Sequence, residues 1–134
     1  MEISTDRARL DVDLIHRFLS QSYWATGRSR ETVVRAIQNS LCFGVYQGHE
    51  QVAFGRVITD YATFGYVADV FVVPEWRGKG VGKLLVDAIA RHPDLQTLQT
   101  MLLATQDAHG LYKQFGFEVL GYPERMMGRW RPPS

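Results

Sequence analysis

Leu14, Ile15, Phe18, Leu19 and Tyr23 fall at helical spacing behind Asp11 and Asp13, acidic residues that suit a helix N-terminus. A second helical stripe, Val33, Val34 and Ile37, follows Ser29, which can cap it, and "NS" ends it. Between the two lies "YWATGRS", an aromatic and small-residue loop. The period then drops to that of strands. "LCFGVYQ" and "QVAFGRVITD" are β-prone runs joined around "GHE", a hairpin with Gly48 in the turn. "GYVADVFVV" is a third strand, ended by Pro74, which has no N–H to continue a ladder. From Gly80 the helical period returns, with Val81, Leu84, Leu85, Ala88 and Ile89 on one face and "HPD" as the stop. "LQTMLLAT" reads as a buried strand, "DAHGLYKQFG" as a short helix closed by Gly116, and "FEVLGY" and "RMMGRW" as two last strands. The predicted order ααβββαβαββ is mixed α/β, with a strand–helix–strand crossover at its centre.

Neither linker nor repeat interrupts this pattern, and 134 residues with 46% hydrophobic and 22% charged positions make one domain over residues 1–134. A net charge of +1 gives no global basic field, so an anion site must come from a local cluster and a nucleic-acid partner is not expected. Cys42 is the single cysteine, which excludes an internal disulfide and suggests a reducing, cytoplasmic setting. The N-terminus lacks the order of a secretion signal, no apolar run approaches a membrane span, and no membrane partner is expected. His16, His49, His92 and His109 show no ligand spacing, so no metal is expected.

The densest chemistry lies in "VVPEWRGKGVGKLL", residues 72–85, where a strand end, three glycines and three cations open a helix. A Walker A loop needs glycine at position 77 and Ser or Thr at 84, where Arg77 and Leu84 stand. A dinucleotide fingerprint starting at Gly78 or Gly80 would need a third glycine at Lys83 or Leu85. The shared physics remains: glycines gather backbone N–H groups at a helix N-terminus, and Arg77, Lys79 and Lys83 supply counter-charge for an anion such as pyrophosphate. The plainer alternative is a strand-to-helix turn with a solvated basic face.

"DVFVVPEWRGKGVGKLLVDAI" resembles the acyl-CoA-binding motif of the GNAT superfamily of N-acetyltransferases, with Arg77, Gly80 and Gly82 filling its signature. "LLATQDAHGLYKQFGF" is similar to that family's second block, through Tyr112, Gly116 and Phe117. The resemblance implies a mixed, mostly antiparallel central sheet flanked by helices, whose two parallel central strands splay to admit the pantetheine arm of acetyl-CoA. It implies cofactor contacts at Phe71, Val72 and Val73 on the strand end and at Arg77, Gly78, Lys79, Gly80, Val81, Gly82 and Lys83 in the loop. Asp107, where many members carry Asn, His109 and Tyr112 complete the implied set, although Lys83 can equally lie on an exposed helix face and Asp107 can equally be an N-cap.

The implied activity is transfer of an acetyl group from acetyl-CoA to a primary amine of a small-molecule or peptide acceptor, by direct attack. Cys42 has no histidine beside it in sequence to make it a covalent relay. A backbone N–H near Val72 can serve the oxyanion, and Tyr112 can protonate the departing thiolate or be a core tyrosine. Asp69, a carboxylate inside an apolar run, is a candidate base or acceptor contact, with pairing to an arginine as its structural alternative. Tyr23, Trp24, Phe64 and Tyr66 can wall the acceptor amine or be ordinary core and edge residues. A catalytically silent acyl-CoA-binding regulatory module is the rival reading, and a homodimer is compatible with either.

Overall fold

A computed structural model describes residues 1–132 of the chain. Its five-stranded sheet runs β1 (Glu2–Ser4), β2 (Leu41–Gln47), β3 (Glu50–Thr59), β4 (Phe64–Val72) and β5 (Thr100–Leu103) in spatial order. Every neighbouring pair is antiparallel except β4 and β5, which are parallel. The parallel pair is joined over one face by α3 (Val81–Arg91), while α1 (Val12–Ser20) and α2 (Arg30–Gln38) precede β2. A short α4 (His109–Lys113) follows β5.

Local chemistry accounts for most of these boundaries. Asp11 caps α1 by accepting from the Leu14 N–H at 3.0 Å, and Ser29 caps α2 by accepting from Thr32 at 3.2 Å. Gly48, at φ 61°, turns the β2–β3 hairpin. Between β3 and β4, the Asp60 carboxylate accepts the N–H groups of Ala62, Thr63 and Phe64, which lets Tyr61 sit at φ 61° and holds the carboxyl well below its usual range.

The two faces of the sheet are distinct. Phe18 of α1 stacks on Phe71 of β4 at 4.1 Å, and Ile15, Leu19 and Val33 close over Phe54, so α1 and α2 cover one face. A Cβ added at Gly55, the next residue along β3, would meet Val70, Ile89 and Leu85, so α3 covers the other. Val45, Val52, Ala53, Phe54 and Val57 are fully enclosed between these layers.

Several expectations are corrected. β1 carries no three-residue pattern that could announce it, yet it pairs with β2 from Glu2 opposite Tyr46 to Ser4 opposite Gly44. Helix α1 stops at Ser20, leaving Tyr23 in the loop. Val86 rather than Leu84 belongs to the buried stripe of α3, because the face turned to β2, β3 and β4 lies further round the helix than the i, i+3, i+4 reading placed it. Strand β5 is half-buried rather than buried, since it is the sheet edge among the described residues. Neither "FEVLGY" nor "RMMGRW" forms a strand; residues 117–130 are irregular apart from a 3-10 turn, Pro123–Arg125. A β-prone run becomes a strand only with a partner edge, and β5 does not pair with this segment.

Candidate active site

The site begins where the parallel pair parts. β4 and β5 pair from Phe64 opposite Thr100 to Val67 opposite Leu103, after which β5 ends and β4 continues to Val72. Residues 68–72 therefore present an edge that no strand among the described residues covers. The Val73 N–H is spent on the Val52 carbonyl at 2.9 Å, on the β3 side. Alternation along the strand turns the Val72 N–H the other way, toward the open edge. Of the three residues expected on the strand end, Val72 alone offers its backbone: Val73 is bonded to β3 and Phe71 is core, stacked on Phe18.

A β-bulge lies in the same stretch. Phe54 pairs with Phe71 and Arg56 with Ala68, which leaves Asp69 and Val70 opposite Gly55, with Asp69 at φ 56°. A non-glycine residue there needs strong side-chain anchoring, and Asp69 has it. Its Oδ1 accepts from Trp24 Nε1 at 3.0 Å, and its Oδ2 accepts from Arg28 Nη1 at 2.8 Å and Arg56 Nε at 2.7 Å. Arg56 also donates to Ser40 Oγ. Burial alone would push this carboxyl up, but the Arg56 and Arg28 guanidiniums outweigh it and hold the pKa below the usual range. Asp69 is thus an ionised, fully engaged anchor between the bulge and the α1–α2 loop rather than a group free to take a proton, and its arginine-pairing alternative is the one realised.

The glycine-rich loop leaves β4 through a 3-10 turn, Pro74–Trp76. Gly78 at φ 73° and Gly80 at φ 81° take left-handed conformations that a side chain strains, and the surroundings of both are open. Gly82 is different: its φ is ordinary, and an added Cβ would only touch Leu111 and Val72 at 3.7 and 3.8 Å. The first bond of α3 runs from the Leu84 N–H to the Gly80 carbonyl, and Gly80 brings no side-chain cap. The N–H groups of Val81, Gly82 and Lys83 are therefore without intrahelical acceptors at the positive end of an 11-residue helix. Of the three cations, Arg77 folds back to donate from Nε to the Val72 carbonyl at 3.1 Å, Lys79 lies over the Trp76 ring at 5.0 Å, and Lys83 is exposed on α3.

Tyr112 on α4 is buried, edge-on to Phe117 at 5.9 Å, and its hydroxyl makes no hydrogen bond to another described residue. Burial raises its pKa, so it keeps its proton at neutral pH. With Tyr66 and His109 it lines a cleft of about 830 Å³ running along the free edge of β5. The loop of residues 77–82 does not line this cleft; it opens on the β4 side of the parted strands.

The structure thus brings the expected residues into three groups: the loop with Val72, the cleft with Tyr66, His109 and Tyr112, and the Asp69 anchor with Trp24. Tyr23 is edge-on to Trp24 and solvent-facing, and Phe64 and Asp107 are exposed. Asp107 is not the cap of α4; that position is Ala108, whose N–H goes to Thr105 Oγ1. Arg28 and Arg56 are the Asp69 partners that sequence reasoning did not name. The signal for them was Asp69 itself, since a carboxylate in an apolar strand demands a cation. Cys42 is enclosed, and burial pushes its thiol up to about 11.

Comparison with known proteins agrees with this geometry. Residues 38–119 match the family model described as an acetyltransferase (GNAT) domain. A Gibberella zeae protein named as an acetyltransferase is 34% identical over 140 residues, spanning 87% of this chain and 78% of its own. YjaB of Salmonella typhimurium, named a peptidyl-lysine N-acetyltransferase, is 33% identical over 118 residues, spanning 87% and 75%. A Xanthomonas campestris pv. campestris crystal structure assigned to the GNAT family superposes with a TM-score of 0.93 at 53% identity, over 98% of this chain and 93% of that one. A Mycobacterium tuberculosis protein solved in complex with CoA shares the fold with a TM-score of 0.72 at 21% identity, over 92% of this chain and 75% of that one.

Proposed function

This chain belongs to the GNAT acetyltransferase family, and from that premise we propose that it moves the acetyl group of acetyl-CoA to a primary amine by direct attack. The observation that carries the reading is the left-handed glycine turn into the uncapped start of α3, set beside a parallel strand pair that parts after Val67 and Leu103. The N–H groups of Val81, Gly82 and Lys83 receive the pyrophosphate, with Lys79 and Lys83 as counter-charges. Arg77, already bonded to the strand end, positions the loop against β4. The pantetheine arm enters the gap along residues 68–72 and takes the place of the strand that β5 does not supply.

In the transfer, the neutral amine nitrogen bonds to the thioester carbonyl carbon, and the resulting oxyanion accepts the Val72 N–H. As the tetrahedral centre collapses, the C–S bond breaks, its electron pair leaves with sulfur, and the Tyr112 hydroxyl supplies the proton. The nitrogen loses its extra proton to His109, one of the titratable groups on the cleft wall, or through it to water. Asp69 acts on this chemistry by positioning: it fixes the bulge that orients the β4 edge. The low thiol reactivity of Cys42 supports a route without an acetyl-enzyme.

The acceptor class takes its support from YjaB, whose name specifies a lysine side chain. Incubation of the protein with acetyl-CoA and a panel of lysine peptides and small amines, reading free thiol, tests the proposal. Acetyl-dependent thiol release with at least one amine is expected. Calorimetric binding of acetyl-CoA without transfer to any amine would instead favour a silent acyl-CoA-binding module.

A further inference from the structure

We infer that the acceptor amine of this chain carries a carboxylate, and that the unspent N–H groups of the Arg28 guanidinium receive it beside Trp24. The inference deepens the acetyltransferase reading and rests on it. The first observation is an imbalance of charge. Asp69 is one carboxylate, its side chain 3% exposed, and two guanidiniums converge on its Oδ2: Arg28 Nη1 at 2.8 Å and Arg56 Nε at 2.7 Å. No other carboxylate among the described residues pairs with either arginine, so the cluster carries one positive charge in excess. A cation taken out of water without a full counter-ion is costly, and a bound anion relieves that cost.

The second observation is where the Arg28 donors go. Nη1 is spent on Asp69, while Nε and Nη2 bond no described residue. Those two nitrogens form the side of the fork that grips a carboxylate with two parallel bonds. Arg56 differs, since it is divided between Asp69 and Ser40 Oγ and its side chain is 12% exposed against 21% for Arg28. The backbone of Arg28 is also fixed. Its N–H donates to the Ala25 carbonyl at 3.0 Å, and its own carbonyl accepts from His16 Nε2 at 3.1 Å. The donors are therefore held in place before a ligand arrives, which lowers the cost of binding one.

The third observation joins this cluster to the cleft. Arg56 pairs with Ala68 and Ile58 with Tyr66, so the four share one sheet face, with Arg56 and Tyr66 as diagonal neighbours about 7–8 Å apart. Tyr66 lines the cleft with His109 and Tyr112. Ala68 and Tyr66 are half-buried and Ile58 is exposed, so the helices that seal Phe54 and Phe71 leave this stretch open. Trp24 donates from Nε1 to the other Asp69 oxygen at 3.0 Å, and it is 42% exposed. One carboxylate thus fixes an indole and a guanidinium side by side, an apolar surface for a carbon chain and a cation for its anionic end. Val72 lies three residues beyond Asp69, about 10 Å along the strand. The carboxylate and the reacting nitrogen accordingly belong to opposite ends of the acceptor, as they are in lysine.

Matched acceptors test the assignment. Nα-acetyl-lysine and Nα-acetyl-lysinamide present the same ε-amine and differ in the carboxylate, and kcat/KM should favour the acid by about tenfold or more. Arg28→Gln should bring that ratio near one, and Arg28→Lys, which keeps a charge on Asp69 but lacks the fork, should fall between. Both rates come from one preparation, so a loss of folded protein scales them alike and a purely structural Arg28 would leave the ratio unchanged. Capped Lys-Asp and Lys-Asn dipeptides separate the sources of the carboxylate. Preference in the first pair assigns it to a free amino acid or chain end, and preference in the second pair alone assigns it to an acidic side chain of a peptide. Calorimetric titration of the same four compounds gives a readout without turnover. Transfer with ratios near one in both pairs overturns the proposal and leaves the acetyltransferase reading standing. Acid-selective, Arg28-dependent binding without thiol release supports the carboxylate site and removes the transfer. A ratio unchanged in Arg28→Gln, or in Arg28→Lys where the glutamine variant does not fold, overturns the proposal, as does neither binding nor transfer with any of the four.

Discussion

The two halves of the sheet differ in kind. From β1 to β4 the strands are antiparallel, pair along most of their length and are sealed between α1, α2 and α3, with Val45, Val52, Phe54 and Val57 at zero exposure. From β4 to β5 the pairing covers four residue pairs, the strands part, and the elements beyond are short or irregular. Stability is concentrated in the first half and candidate chemistry in the second. On the proposed reading a cofactor arm enters the gap between the parted strands, which then cannot also be filled by side chains, so the closed half has to hold the open one in place.

The largest effect should come from breaking the closed half. Phe54→Ala removes a fully buried ring that packs on Phe71 at 5.9 Å, and about 3–5 kcal/mol of unfolding free energy should be lost in urea titration. A loss below about 1 kcal/mol would show that the core is not organised around this ring.

Next in size is the anchor that joins the halves. Asp69→Ala leaves Arg28 and Arg56 facing each other without a counter-ion and removes the anchor of a bulge residue at φ 56°. About 3 kcal/mol should be lost, the lower end for a broken buried pair because the Arg28 side chain is 21% exposed. The same group gives a pH signature. Its folded pKa lies below the ordinary value of 3.8, so its pairing stabilises the fold fully above that pH and the contribution disappears as pH falls through the folded pKa. In the Asp69→Asn protein that share of the acid destabilisation should be missing. An identical pH–stability profile for variant and wild type would contradict the pairing.

How much of this was legible in the sequence follows the same division. Asp11, Ser29, Gly48 and Pro74 act on their own neighbours, so the helix starts, the hairpin and the end of β4 could be read locally. The loop of residues 77–82 was legible for the same reason, since glycine spacing and an uncapped helix start are local properties. The Asp69 cluster was half legible: the need for a cation was visible, but Arg28 and Arg56 lie 41 and 13 residues away and only the fold selects them. Strands in "FEVLGY" and "RMMGRW" were over-read because propensity alone does not secure pairing, even beside the free edge of β5, and β1 was missed because Glu2–Ser4 gains its identity from β2. Gly80 takes a left-handed conformation and Gly82 does not, a difference that depends on which residue begins α3.

In the open half, Tyr112→Phe keeps the ring against Phe117 and removes the proton. Turnover should fall by about 10², the low end for general acid catalysis because thiolate is a tolerable leaving group, while acetyl-CoA affinity by calorimetry stays within about twofold. Wild-type kcat under conditions where chemistry limits the rate would assign Tyr112 to packing.

The smallest expected effect is also the sharpest, because it reverses sign between two readouts. Gly82 lies inside α3 with ordinary φ, and a methyl group there would meet Leu111 and Val72 only at van der Waals distance. Gly82→Ala should therefore stabilise the free protein by about 0.5 kcal/mol, a reduced share of the usual glycine-to-alanine gain because the position is in the first turn. Gly80→Ala, at φ 81°, should destabilise it by about 1 kcal/mol. Acetyl-CoA affinity should fall in both, in the first because the methyl group crowds amides that must approach a pyrophosphate, in the second because the turn itself shifts. Thermal unfolding beside calorimetric titration separates the two. If Gly82→Ala is more stable and binds acetyl-CoA as tightly as the wild type, the start of α3 is a turn with a solvated basic face and the cofactor's phosphates lie elsewhere.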